Sequence, residues 1–423
     1  MVSQAAVKRR RVFYIPGYDP IHPRRYRELY RSEGAEQAAI SGYEIALRPK
    51  TQTGNYGWHI DARIDGVPTQ ADVEVLVWSD IVRGSMATGI FETYLQLART
   101  AWLYITSGAL RRLMWLRKGP VIAALYPIVV LLLQLALALV AGHFAGRIVG
   151  WLYASGVGLF VSGEVTNFIF GTLVPWVLYL LPFGAAAWAV LRWFKSMDSK
   201  LYAYYLMHDY AYSAQYGGAN PPELETRMSE FGDMIADALD RDVDEVLVVG
   251  HSSGAHLGVS ILADLIRQGR VPKTGPDLAF LTLGQVVPMV SFLPEAHRLR
   301  ADLQYLSTRN EITWVDVTAP GDGCAFALCD PVAVSGVATD DKRWPLVFSA
   351  AFTQTLSEAK WEALKRRYFR LHFQYLCSFD RPKDYDYFQI TAGPVTLGER
   401  YAGRPPSRSR IDVPASKYTS IAA

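Results

Sequence analysis

Val246-Leu247-Val248-Val249-Gly250-His251-Ser252-Ser253-Gly254-Ala255 carries an apolar run into a helix-forming stretch through a G-x-S-x-G string. A strand, a sharp glycine-flanked turn and a helix are the context in which that string holds an exposed nucleophile. Gly250 and Gly254 let the backbone turn tightly and leave room for a substrate carbonyl beside the serine. On this reading Ser252 stands above the C-terminal edge of a sheet, with the first helical N–H groups close by. The competing reading is a serine in an ordinary strand-to-helix loop.

Outward from this turn, strand and helix patterns alternate. Arg11–Ile15 reads as a short strand ending at Pro16-Gly17, Pro23–Glu33 as a helix, and Tyr43–Arg48 with His59–Ile64 as a β-hairpin. Val73–Trp78 is an apolar strand. Leu201–Gln215 and Pro222–Leu239 are helical, the second with apolar residues at helical spacing. After the Gly250–Gly254 turn come a helix to Arg267, strands at Leu278–Leu283 and Ile312–Val317, a helix at Ser357–Arg367, and Phe369–Leu376 as a strand closing the sheet. Strands separated by helical lengths imply an α/β fold: a mainly parallel sheet with helices on both faces, binding ligands beyond the carboxyl ends of its strands.

Two charge-free stretches, Gly119–Gly146 and Val165–Leu191, interrupt this pattern. Each exceeds the ~20 residues that cross a hydrocarbon core as a helix. Val121–Val140 holds thirteen Leu, Ile or Val residues, together worth roughly −4 to −8 kcal/mol towards insertion. The glycine-rich stretch Ile148–Gly163 between them reads as an interfacial or re-entrant connector. Strands on either side must share one sheet, so the expectation is a transmembrane helical hairpin with an even number of crossings. Arg111, Arg112, Arg117 and Lys118 precede it and Arg192, Lys195 and Lys200 follow it, whereas the connector carries only Arg147 and Glu164. The positive-inside bias then puts the globular part on the cytoplasmic side of a membrane, as in a bacterial inner membrane. Trp115, Trp151, Trp176, Trp188 and Trp193 lie near the expected interfaces. The organisation read from sequence is residues 1–89 and 201–400 as two parts of one domain, 90–200 as the membrane insertion with spans near 120–146 and 166–192, and 401–423 as a loosely ordered tail.

Composition narrows the partners. Net charge is +3, with 50% hydrophobic and 20% charged residues, and no basic stripe with interleaved aromatics marks a nucleic-acid surface. Cys324, Cys329 and Cys377 lack metal-ligand spacing and form an odd set, which fits a reduced compartment. The basic start, Met1–Arg11, leads into no apolar h-region, so no secretory signal is expected. The expected partner is a lipid bilayer, with no metal or organic cofactor; the spans also allow a homo-oligomer.

A serine nucleophile needs a base, usually an imidazole oriented by a carboxylate. Of eight histidines, His143 falls in a span, His251 occupies the variable slot of the turn pointing away from Ser252, and His256 sits on the following helix. His22, His59, His208 and His297 lack a carboxylate context. His372 alone comes after the other core strands, on or just beyond the last one. For the acid, Asp322 lies beyond a strand end in a Pro/Gly turn, as a loop-borne acid must; Asp316, within the strand, is the alternative, and Asp330 and Asp380 are remote ones. Donors for a tetrahedral oxyanion are expected from the backbone N–H groups of Ser253 and of Tyr18, in the Ile15-Pro16-Gly17-Tyr18-Asp19 loop.

In these pieces the chain resembles the α/β-hydrolase superfamily, over about Arg11–Asp80 and Leu201–Thr391. The order Ser252, Asp322, His372 is that family's order. Three departures stand out. The chain begins at the oxyanion strand, with the Tyr43–Ile64 hairpin where the family has two preceding strands; Pro16-Gly17 replaces the usual His-Gly; and a membrane hairpin stands in place of a soluble cap. The resemblance implies Ser-His-Asp acyl chemistry: an esterase or lipase-like serine hydrolase acting on an apolar or lipid ester. An acyltransferase on the same triad, or a non-catalytic membrane scaffold, are the alternatives, because fold likeness does not identify a substrate.

Overall fold

The computed structural model describes residues 6–50, 54–86, 89–157 and 168–422. Eight strands form one mixed sheet: β1 (Arg9–Ile15), β2 (Glu44–Pro49), β3 (Gly57–Ile64), β4 (Val67–Val75), β5 (Glu245–His251), β6 (Asp277–Leu283), β7 (Thr313–Thr318) and β8 (Leu346–Ser349), in the order β2-β3-β4-β1-β5-β6-β7-β8. β4, β1, β5, β6, β7 and β8 are mutually parallel, and β3 alone runs against its neighbours. The central strands are apolar throughout because both faces are covered. Val12, Tyr14, Leu247, Val249, Leu281 and Val317 share one core with Tyr26, Tyr30 and Phe388. The alternate residues Phe13, Ile15, Val248 and Phe280 are equally buried, and the helix Gly254–Arg267 lies against them, Gly258 meeting Phe280 and Ile15.

Most elements fall where the sequence patterns place them, with four differences. The fourth strand is Val67–Val75 rather than Val73–Trp78, and a tight Asp65-Gly66 turn, both residues at positive φ, joins it to β3. Ile90–Trp115, which the sequence reads as one helix leading into the membrane, is two helices, Ile90–Thr106 and Ala109–Leu116. Phe369–Leu376 is not a strand: Tyr368–His372 is a short helix followed by a 3₁₀ turn, and β8 closes the sheet instead. The tail beyond Tyr401 is held rather than loose, with Ser407 donating to the Val347 carbonyl, Ile411 bridged to Cys329, and Ala415 buried.

A buried ion pair fastens the start of β1 to β5. Arg10 Nε donates to Glu245 at 2.5 Å while its other nitrogens reach the carbonyls of Gly393 and Val395, and Glu245 also accepts the Leu397 N–H at 2.6 Å. Both side chains are almost fully enclosed. Burial pushes the Glu245 carboxyl up, against the pull of Arg10 and the Leu397 N–H. Breaking one side of a buried pair strands the other charge, so Glu245→Ala is expected to cost ~3–5 kcal/mol. Urea unfolding followed by circular dichroism measures this; a loss under about 1 kcal/mol would contradict it, since only exposed pairs are worth so little.

By contact density the chain divides into one unit of Met1–Ser85, Trp102–Ala123 and Ser213–Ala423 and a second of Met86–Ala101 and Ala124–Tyr212. Trp102–Ala123, read from sequence as part of the insertion, thus clusters with the sheet. Two helices, Lys118–Gly156 and Ile169–Ser196, are long and apolar enough to cross a membrane by length and composition. The first runs on through Ile148–Val157, so that part of the expected connector is helical; residues 158–163 and the start of the second predicted span lie outside the described residues. Within the second unit the helices pack antiparallel. Gly142 and Gly146, one turn apart, meet Phe183 and Tyr179, and a Cβ on either would come within 2.7 Å of a backbone carbonyl. Such small-residue spacing lets apolar helices approach closely.

Candidate active site

Ser252 follows the C-terminal end of β5 with φ +57°, left-handed backbone that a non-glycine residue adopts only under constraint. The constraint is visible around it. Its N–H donates to the Leu283 carbonyl at the end of β6, 2.9 Å away. A Cβ on Gly250 would lie 2.7 Å from the Gly254 carbonyl, and one on Gly254 would lie 2.2 Å from that of Ile15. Both glycines are therefore required by close approach of three backbone segments. Gly17 stands against Ser252 itself, its own Cβ position being 3.0 Å from Ser252 Cβ.

The loop after β7 brings Asp322, and the short helix ending at His372 brings the imidazole. His372 Nδ1 lies 2.7 Å from Asp322 Oδ2. Asp322 is buried and accepts two further bonds, from the Tyr375 hydroxyl at 3.0 Å and the Cys324 N–H at 2.9 Å. Burial alone would raise its pKa; the His372 imidazole, the Cys324 N–H and the Tyr375 hydroxyl outweigh that and hold the carboxyl below its ordinary value. An ionised Asp322 fixes the proton of His372 on Nδ1 and leaves Nε2 as the basic nitrogen.

His251 and Tyr375 have roles the sequence reading missed. His251 is buried, and its ring lies 4.9 Å from that of His372. Its Nε2 is 3.0 Å from the His372 carbonyl oxygen. Burial, reinforced by His372, lowers the His251 pKa to about 3, so it is neutral and donates to that carbonyl, holding the backbone of His372. Tyr375 links Asp322 to the end of β7, where the Ala319 N–H donates to its hydroxyl at 3.0 Å. Gly284, after β6, makes room for both: a Cβ there would stand 2.7 Å from the Tyr375 ring and 3.1 Å from His372 Cε1. Ser252 and His372 thus meet the same Leu283–Gly284 strand end. Among the described residues no hydrogen bond closes between the Ser252 hydroxyl and His372.

Of the two expected oxyanion donors, the Ser253 N–H precedes the helix Gly254–Arg267, where first-turn N–H groups have no intrahelical acceptor. The Tyr18 N–H donates to Ser253 Oγ at 2.8 Å, so its use by a substrate requires the Ser253 hydroxyl to turn away.

No protein-family model, curated protein or solved structure matches this chain.

The other acids fill structural places. Asp330 caps the turn Pro331–Val334 and pairs with Lys342 at 2.6 Å, and Asp380 accepts the Ser357 N–H. Asp316 is buried in β7 with Thr282 at 2.6 Å on Oδ1 and no partner on Oδ2. His59 does find a carboxylate, Asp72, but on the β3–β4 hairpin. Side-chain donor atoms of Asp322, Cys324 and His372 lie within 4.8 Å of one another, a proximity that the cysteine spacing in the sequence did not signal.

Burial pushes the Asp316 pKa up to about 8. The folded chain then keeps a proton that the unfolded chain releases near pH 4. Its stabilising effect is complete below that value and is lost as pH rises towards about 8. Unfolding free energy is expected to fall by roughly 1.4 kcal/mol per unit between about pH 5 and 7 from this group. Urea midpoints across that range test it: Asp316→Asn should flatten the slope, and an unchanged slope would contradict the assignment.

Proposed function

We propose that the chain is a membrane-anchored serine hydrolase of α/β-hydrolase type, cleaving an apolar or lipid ester at Ser252. The observation carrying this reading is the positive-φ serine wedged between Gly250, Gly254 and Gly17, beside an Asp322–His372 pair. Supporting the resemblance, β2 and β3 fill the two outer sheet positions that the family gives to strands preceding the oxyanion strand. In the proposed cycle His372 Nε2 takes the Ser252 proton as Oγ attacks the ester carbonyl, and Asp322 stabilises the imidazolium. Collapse of the tetrahedral intermediate expels the alcohol with that proton and leaves an acyl-serine. Water, deprotonated by the same imidazole, attacks the acyl carbon, and the acid departs as Ser252 Oγ is reprotonated. Anchoring by the two apolar helices, with the sheet on the cytoplasmic side, belongs to the same proposal, as does a substrate drawn from the bilayer.

The missing Ser252–His372 bond and the Tyr18 N–H held by Ser253 favour a second reading, a non-catalytic scaffold. Catalytic hydrogen bonds often tighten only when substrate is bound, so a covalent probe separates the two. A fluorophosphonate should label the detergent-solubilised full chain and fail to label Ser252→Ala. Unlabelled, folded wild-type protein would overturn the hydrolase in favour of the scaffold.

A further inference from the structure

Just ahead of His372 runs Lys365-Arg366-Arg367-Tyr368-Phe369-Arg370. All five residues from Arg366 to Arg370 are exposed, with Tyr368 at 59%. Lys365 is paired with Glu362 at 2.6 Å. Among the described residues, Arg366, Arg367 and Arg370 have no carboxylate within ion-pair distance. Three unneutralised guanidinium groups flanking two exposed rings make a surface suited to polyanions that also offer an apolar margin.

The neighbours of this segment indicate which polyanion. Tyr368 lies on Gly323 of the acid loop, 3.3 Å from the Cβ position there, and Gly119 stands 3.4 Å from the Gly323 carbonyl by the same measure. Gly119 is the second residue of the long apolar helix, and Lys118, its first, is exposed. Arg117, just before, is tied to the Ala327 carbonyl at 2.9 Å. The basic-aromatic segment, the acid loop and the foot of the apolar helix therefore share one surface of the first unit. Aromatic rings settle at the headgroup level of a bilayer, and clustered arginines next to a membrane helix bind anionic lipid.

We propose that Lys365–Arg370, with Lys118, docks on the headgroups of an anionic phospholipid bilayer and so sets the candidate site at the membrane surface. The inference rests on the reading of Lys118–Gly156 as a span. His372 ends the helix that Tyr368 begins, so headgroup contact bears directly on the base.

Hydrogen–deuterium exchange of the full chain in nanodiscs tests this, comparing pure phosphatidylcholine with discs containing phosphatidylglycerol. Exchange in peptides covering 365–370 should be roughly a hundredfold slower in the anionic discs, the three arginines each contributing about fivefold in affinity. Protection should be lost in the Arg366→Gln, Arg367→Gln, Arg370→Gln triple variant and at high salt, with β5 exchange unchanged as the check on folding. Equal exchange in both discs, with the chain incorporated, overturns headgroup docking and leaves the span intact. Failure to incorporate into either disc overturns the span and the docking together.

Discussion

Turnover of an activated ester by the Ser252→Ala chain is expected to fall about 10⁶-fold, to the level left by binding and oxyanion stabilisation. The size follows from the site's geometry. The neighbouring hydroxyl, Ser253, is buried and already accepts the Tyr18 N–H, and it stands at the helix N-cap rather than at the positive-φ turn. It is therefore poorly placed to substitute as nucleophile. Steady-state kinetics with a p-nitrophenyl ester in detergent would measure the loss as a drop in kcat at little-changed KM. A residual rate within tenfold of wild type would remove Ser252 from the mechanism. A Ser253→Ala chain, by contrast, should keep its activity, because the change frees the Tyr18 N–H.

Asp322→Asn should lower kcat about 10⁴-fold while leaving the fold in place. The asparagine amide can turn its NH₂ towards His372 Nδ1, which then becomes the acceptor and moves the ring proton to Nε2, where it blocks proton transfer from Ser252. The Cys324 N–H can still donate to the amide oxygen, and the Tyr375 hydroxyl, which shares Oδ2 with His372, can accept from the NH₂ instead, so the loop should survive. Stability supplies a second readout. Asp322 is held below its ordinary pKa, so its contribution is present above about pH 4 and lost as pH falls through the folded value. Wild-type urea midpoints should therefore decline between pH 6 and pH 3 by an increment that Asp322→Asn lacks. A variant with wild-type kcat would show that Asp322 does not orient the base.

The turn and its flanks were readable because local chemistry decides them. Glycine at 250 and 254 and an unbroken apolar run before them leave few backbone options, and the helix ends at Arg267 as its pattern does. Asp322 was separable from Asp316 by position alone, loop against strand, and the structure pairs Asp322 with His372. Elsewhere tertiary context overrode pattern. Phe369–Leu376 alternates like a strand, yet Leu371 and Tyr375 are buried as parts of a helix and a following turn. β4 was displaced because Thr69, Gln70 and Asp72 interrupt its apolar residues, although Thr69, Ala71, Val73 and Val75 are buried at alternate positions. β8 is only four residues long, too short to display a period. His251, Tyr375 and the Ser253 hydroxyl escaped notice because their partners lie far away in the chain. No spacing rule links His251 to a carbonyl 121 residues later.

The first strand among the described residues ends up in the middle of the sheet. β1 is bordered by β4 on one side and by β5 on the other, and the 169 residues from Leu76 to Asp244 separate those neighbours in the chain. At about 5–20 residues per second, translation of that interval takes on the order of ten to thirty seconds. Throughout that time the nascent β1 edge has unpaired amides and carbonyls, the kind of surface on which sheets aggregate. The ribosome must also deliver both apolar helices before β5 arrives to seal it. Expression yield of this chain is therefore expected to rise with chaperone capacity during translation, which a co-expression trial would measure.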